Sequence, residues 1–185
     1  MQTKKQNVEV AKFLDPKAII EQLRILPGSN VADFGCGSGY FSLPLAQAVG
    51  SEGLVYSLDV LPAALEAVAS KAKIEGISNI LTKRVNLENE KGSKLDGESL
   101  DLVVVKDMLF QNKDKDSIIG EGYRVLRKGG RILLLEWNDH KESIGPEMSL
   151  RVPENEASKI LQKKGFSALG RIAAGEFHYA FIAQK

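Results

Sequence analysis

The stretch VADFGCGSGYFSLPLA, residues 31–46, decides the fold. Its start belongs to a short extended run, Asn30 to Phe34, and its end to a helical stretch, Tyr40 to Val49, that Gly50 terminates. Between them stand Gly35, Gly37 and Gly39, at alternate positions. Glycine here lets the backbone turn sharply and approach a ligand with no β-carbon in the way. A dinucleotide-binding loop needs its third glycine at position 40, for close helix–strand packing, and this chain has Tyr40 there. A loop without that glycine, preceded by Asp33, suits a ligand that lacks a pyrophosphate.

Working outward, strand and helix patterns alternate. Asp15-Pro16 followed by Ile19, Leu23 and Leu26 predicts a capped helix that Pro27-Gly28 ends. Leu54 to Leu58 reads as a second strand, and Asp59 follows it at the place where an acidic residue accepts hydrogen bonds from a ribose diol. Leu61, Ala64, Leu65, Val68, Ala69 and Ala72 recur at helical spacing before Gly76. Asn79 to Val85 predicts a third strand, Glu88 to Glu98 a charged, solvated loop, and Leu100 to Val105 a strand buried on both faces. Ile118 to Leu126 is helical, Gly129-Gly130 breaks it, and Arg131 to Glu136 is another buried strand. Pro153 opens a last helix, and Phe166 to Ala173 with Phe177 to Ala183, joined at Gly175, read as an antiparallel pair.

This order predicts an α/β fold: a three-layer, Rossmann-like, seven-stranded, mostly parallel sheet with an antiparallel last strand and helices on both faces. Ligands of such sheets bind at the carboxyl ends of the strands. The expected organisation is a single domain over residues 1–185, with 1–14 as a flexible N-terminal arm. The 185 residues are 43% hydrophobic and 26% charged, which suits one ordinary globular core. With 25 Lys+Arg against 24 Asp+Glu, the net charge of +1 gives no support to a nucleic-acid surface. No apolar run approaches the roughly 20 residues that span a bilayer, and a cytoplasmic location is expected. The one cysteine, Cys36, excludes an internal disulfide framework and a cysteine-only metal cluster.

The segments quoted above, with VYSLDV (55–60), LDLVVVKDMLF (100–110) and EGYRVLRKGGRILLLEW (121–137), resemble in order the motif series of the class I S-adenosylmethionine-dependent methyltransferases. The resemblance runs over roughly residues 15–184 and is nearest to the group of the ubiquinone/menaquinone-biosynthesis C-methyltransferases. It implies S-adenosylmethionine as cofactor and a set of binding residues. Asp33, Phe34, Gly35, Cys36, Gly37 and Gly39 would pass beneath its methionyl part, with Asp33 towards the ammonium. Asp59 would hold the ribose hydroxyls, Val60 and Leu61 would flank the adenine, and Asn86 and Leu87 would meet its edge. Asn86 departs from the acidic residue usual in the family, and a neutral amide oxygen is a weaker acceptor. Lys106, ending the fourth strand, would reach the cofactor mainly through its backbone.

Methyl transfer from a sulfonium needs alignment and exclusion of water, and a base only where the acceptor is protonated and poorly acidic. His140, after the fifth strand, and His178, at the start of the last, are the substrate-side candidates for that role; structural roles compete for both. Asp139 and Trp137 are expected at the same edge. No metal is expected. A small or hydrophobic acceptor is the leading expectation, with a second subunit of the same chain as a possible partner. A protein or RNA acceptor, a non-catalytic cofactor-binding module and a nicotinamide-dependent dehydrogenase are the competing functions, the last disfavoured by Tyr40. One thiol also argues against arsenite methylation through a relay of cysteines.

Overall fold

A computed structural model describes residues 14–139 and 144–185. The expectations placed on residues 1–13 and on His140 lie outside them. Asp15 caps the first helix, α1 (Pro16–Leu23), its carboxylate accepting from Lys17 N at 2.9 Å. The helix stops earlier than its apolar spacing predicts, because Arg24 turns left-handed (φ +48°). Leu26, counted as part of the apolar face, is therefore 70% exposed.

The remaining elements follow the expected alternation: β1 (Asn30–Phe34), α2 (Ser42–Val49), β2 (Leu54–Asp59), α3 (Pro62–Ile74), β3 (Ile80–Arg84), β4 (Leu100–Lys106), α4 (Lys115–Val125) and β5 (Leu126–Trp137). A single turn of 3₁₀ helix at Met148–Leu150 precedes α5 (Glu154–Lys163), β6 (Ser167–Arg171) and β7 (His178–Gln184). Helix α2 starts two residues later than predicted, which places Pro44 in its first turn, where a missing N–H costs nothing. Gly129-Gly130 does not separate helix from strand. The strand already begins at Leu126, and the pair lies in an irregularity between the Leu100–Leu126 and Leu102–Arg131 pairings.

The seven strands lie in the order β3-β2-β1-β4-β5-β7-β6. All pairings from β3 to β5 are parallel, and β7 runs antiparallel to both of its neighbours. Side chains alternate across the pleat. Val31, Leu102, Val104, Leu133 and Leu135 pack with α1 and α2 on one face. Ala32, Phe34, Val103, Val105, Ile132 and Leu134 pack with α4 and α5 on the other. Both faces are dry, so the polar residues are driven to the strand ends. The carboxyl ends of β1, β2, β4 and β5 and the amino end of β7 form one edge of the molecule, and the chemistry-bearing residues collect there.

Candidate cofactor cleft and the edge beside it

The glycine loop is held by β2. Gly35 N and Cys36 N both donate to Leu58 O, at 2.8 and 3.0 Å, and Gly39 N donates to Cys36 O at 3.0 Å. Gly35, Gly37 and Gly39 all have positive φ, at +68°, +50° and +87°, the left-handed region that side chains disfavour. At Gly35 a β-carbon would stand 2.0 Å from Met108 Sδ, whereas at Gly37 it would meet nothing within 4 Å. The first glycine admits a neighbour from after β4; the second leaves open space over the loop.

Asp59, ending β2, ties this loop to the next helix. Its Oδ2 accepts from Gly37 N at 3.0 Å and its Oδ1 from Leu61 N at 2.9 Å. A carboxylate has about four acceptor sites, so two backbone bonds leave capacity for a diol. Gly35, Gly37, Asp59, Val60, Leu61, Asn86 and Leu87 line one cleft of about 430 Å³. Val85, Glu88, Met108, Gln111 and Asn112 complete it. That volume falls within the range of roughly 300–1,000 Å³ usual for small-molecule sites. Beyond Asn86 it adjoins an outer hollow of about 520 Å³ on the Arg84, Lys91 and Lys94 side, to which none of the loop's three glycines contributes.

Seven of the twelve residues expected at the cofactor thus converge, and the other five do not line the cleft. Phe34 is fully buried core. Gly39 packs against Leu43 and Val68. Cys36 is 5% exposed, and burial pushes its thiol far up, with Asp33 and Asp59 adding to the effect. Asp33 turns inward: its Oδ2 accepts from Ser42 Oγ at 2.6 Å, and Ser42 Oγ receives Ser57 Oγ at 2.8 Å. Burial raises the Asp33 carboxyl to about 6, against the pull of the Ser42 hydrogen bond and of the Lys106 charge. Asn86 Oδ1 accepts from Glu88 N at 2.9 Å, so one lone pair of the expected adenine contact already serves its own turn. Met108 is expected at this edge as the fourth strand ends, and it lines the cleft; Gln111 and Asn112 carry no sequence signal beyond their position just after that strand.

Lys106 leads to a second group of residues. Its ammonium pairs with Asp107 Oδ2 and stands 6.0 Å from the Tyr40 ring. Asp107 is left-handed at φ +53°, and its Oδ1 lies 3.4 Å from His178 Nε2. His178 pairs in register with Trp137, their rings 4.1 Å apart. Beside them Glu136, with no exposure, accepts from Leu109 N through Oε1 at 2.6 Å. Burial pushes its carboxyl up to about 8, and the nearby Asp107 adds to the rise. Asp139, exposed, lines a separate hollow of about 150 Å³ with Arg151 and Tyr179.

Among the described residues, no group of three or more His, Cys, Asp or Glu is arranged to hold a metal. No helix of the described residues is long and apolar enough to cross a membrane.

Comparison with known proteins adds the following. An arsenite methyltransferase of Aquipseudomonas alcaligenes is 34% identical over 113 residues, 58% of this chain and 32% of that protein. A demethylmenaquinone methyltransferase of Lactococcus lactis subsp. lactis is 33% identical over 114 residues, 60% of this chain and 43% of that protein. The chain thus spans less than half the length of these curated relatives. The crystal structure of a SAM-dependent methyltransferase from Aquifex aeolicus shares the fold, with a TM-score of 0.84 at 20% identity over 92% of this chain and 89% of that one. A family model described as a methyltransferase domain matches residues 25–173, and with the glycine loop, Asp59 at the end of β2 and the cleft they line in place, the chain belongs to the S-adenosylmethionine-dependent methyltransferase family.

Proposed function

We propose that this chain transfers a methyl group from S-adenosylmethionine to a small aromatic acceptor of the hydroquinone kind. The observation that carries the cofactor half of this proposal is the convergence of Gly35, Gly37, Asp59, Leu61, Asn86 and Leu87 on one cleft, with open space over Gly37. S-adenosylmethionine supplies an activated methyl group on a sulfonium. The Asp59 carboxylate accepts the ribose hydroxyls with the acceptor sites left by Gly37 N and Leu61 N. The loop backbone lies under the methionyl part, Val60 and Leu61 flank the adenine, and Asn86 and Leu87 meet its edge. Asp33 supports the loop from beneath, its Oδ2 accepting from Ser42 Oγ.

On the acceptor side, two named relatives pull in different directions, one acting on arsenite and one on demethylmenaquinone. The chain's own chemistry favours the second. Arsenite is a thiophile, and the only thiol here is buried, with its ionisation suppressed. Tyr40 and Trp137 instead offer aromatic surface near the end of β4. Calorimetric titration with S-adenosylmethionine and its demethylated product, with NADH as the control, tests the cofactor half. Micromolar binding of the first two and none of NADH is expected; no binding of either overturns it.

A further inference from the structure

Six buried side-chain atoms among the described residues lack a hydrogen-bond partner, and four of them lie together: Asp107 Oδ1, Glu136 Oε2 and both ring nitrogens of His178. Buried polar atoms are paired in about 90% of cases or more, so such a concentration calls for an explanation. The remainder of the molecule supplies none. The other buried carboxylate network, Glu121 with Ser93 and Arg124, is fully occupied. The cluster sits where β4 and β5 end and β7 begins, one residue from Met108 in the cofactor cleft wall. The His178 side chain is 7% exposed, and its Nε2 faces Asp107 Oδ1 at 3.4 Å while Asp107 Oδ2 stays with Lys106.

Each charge around the pair has a defined place. Lys106 neutralises one oxygen of Asp107. Glu136, raised to about 8, is mainly protonated near neutrality and adds little negative charge. The Tyr179 hydroxyl is spent on Val152 O at 2.9 Å, and the Arg151 guanidinium stands 5.7 Å from the Trp137 ring. With Nε2 carrying its hydrogen towards Asp107, the Nδ1 of a neutral imidazole is left as an acceptor. A carboxylate that orients an imidazole from one side, leaving the other nitrogen free, is the arrangement of a general base.

We propose that Asp107 and His178 form an acid–base pair for the methyl acceptor, with His178 Nδ1 taking the proton of an aromatic hydroxyl held at the edge that Tyr40 and Trp137 contribute. The proposal deepens the methyltransferase assignment and rests on it for the identity of the second step. In the first step the acceptor's O–H bond breaks, the proton forms an N–H bond at Nδ1, and the electron pair stays on the acceptor oxygen. The resulting imidazolium keeps its Nε2–H on Asp107 Oδ1. The acceptor, now anionic, is the nucleophile for the sulfonium methyl, and the electron pair of the broken sulfur–carbon bond remains on sulfur.

The test reads the proton directly. para-Nitrophenol, whose phenolate absorbs in the visible while the phenol does not, is added to the protein with the demethylated cofactor product, below the pH at which the free phenol ionises. The native protein is expected to raise the phenolate fraction of the bound probe about tenfold or more, and His178→Gln and Asp107→Asn each to lose most of that gain. Transfer to naphthohydroquinone is expected to fall about 100-fold in the same variants. Their affinity for S-adenosylmethionine, measured by calorimetry, and their melting temperatures should stay near native. Bound probe that remains neutral, an equal phenolate fraction in all three proteins, or no binding of the phenol overturns the pair. Loss of cofactor binding by the native protein overturns the methyltransferase assignment instead, and the probe measurement, repeated without the cofactor product, still reads the pair.

Discussion

The two halves of the functional edge are finished differently. On the β1–β2 side, hydrogen bonds within the chain hold the loop in shape. Gly35 N, Cys36 N and Gly37 N bond to Leu58 or Asp59, and Asp33, Ser42 and Ser57 form a closed, buried chain of hydrogen bonds. On the β4–β5–β7 side, Glu136 Oε2 and His178 Nδ1 are buried with no hydrogen-bond partner, and Asp107 Oδ1 meets His178 Nε2 only at 3.4 Å. A cofactor site must hold its shape before the ligand arrives, and satisfied backbone bonds provide that. A reacting site must keep acceptor capacity in reserve, and the cost of that reserve is unpaired polar atoms of about 1–3 kcal/mol each. The dry core beneath both halves supplies the stability against which that cost is set.

Asp59→Ala breaks the first half most severely. It removes the acceptor for Gly37 N and Leu61 N and, in the proposed cofactor pose, for two ribose hydroxyls. Hydrogen bonds to a charged group are worth about 1.5–3 kcal/mol each, so S-adenosylmethionine affinity should fall by at least about 100-fold in a calorimetric titration. Stability should fall too, by about 1–3 kcal/mol, since the loop loses its tie. Native affinity in this variant would show that the cleft holds its ligand in some other way.

Glu136→Gln probes the second half through pH. A carboxyl whose folded-state value is raised from 4.5 to about 8 binds more protons folded than unfolded between those values. Its contribution is therefore complete below about 4.5 and is lost progressively as pH rises towards 8. Asp33, raised from 3.8 to about 6, acts with the same sign over its own lower window. The melting temperature of the native protein should fall between pH 5 and 8, by an amount on the order of a few kcal/mol of stability. The glutamine variant, neutral throughout and still able to accept from Leu109 N, should show a much flatter profile. Parallel profiles for the two proteins would mean that Glu136 is charged in the folded state.

Two glycines of one loop separate fold from ligand. Gly35→Ala places a β-carbon 2.0 Å from Met108 Sδ at a positive φ, and it should cost about 2–4 kcal/mol of stability. Gly37→Ala meets nothing within 4 Å and should cost only the left-handed strain, about 1 kcal/mol, while still weakening cofactor binding. Thermal melts and calorimetry on both variants resolve the contrast. Equal stability losses would mean that the two glycines serve the turn alone.

The contrast between the halves also explains what was legible in the sequence. The cofactor side is written in contiguous motifs, because a strand, a tight turn and a helix start are neighbours along the chain. Gly35, Gly37 and Asp59 therefore come together on one cleft, and the alternation of strand and helix carried the seven-stranded sheet with its reversed last strand. The acceptor side joins the ends of three strands, and nothing in the spacing of 107, 136 and 178 announces that they meet. His178 was visible as a histidine at a strand start, but its Asp107 partner and the buried Glu136 required the β5–β7 register. Asp33 shows the same limit at a single residue. The motif assigns it to the ligand, while Ser42, a residue of no motif weight, takes its carboxyl inward.

Ser42→Ala is the smallest and sharpest probe of that inward turn. Ser42 has no exposure, donates to Asp33 Oδ2 and accepts from Ser57 Oγ, so alanine leaves two buried groups each one bond short. The expected loss is about 1–3 kcal/mol, or roughly 2–12 °C in melting temperature for a domain of this size. The Ser42 bond lowers the Asp33 carboxyl, so its removal should raise that group above about 6 and extend the fall of stability to higher pH. If Asp33 serves the cofactor only by supporting the loop, affinity for S-adenosylmethionine should fall in step with loop order, and Asp33→Asn, which keeps the amide oxygen as an acceptor for Ser42, should bind nearly as the native protein does. If Asp33 meets the ligand's ammonium with its charge, the asparagine variant should lose affinity while Ser42→Ala, which frees the carboxylate, should not. The two substitutions thus move cofactor affinity in opposite orders under the two roles.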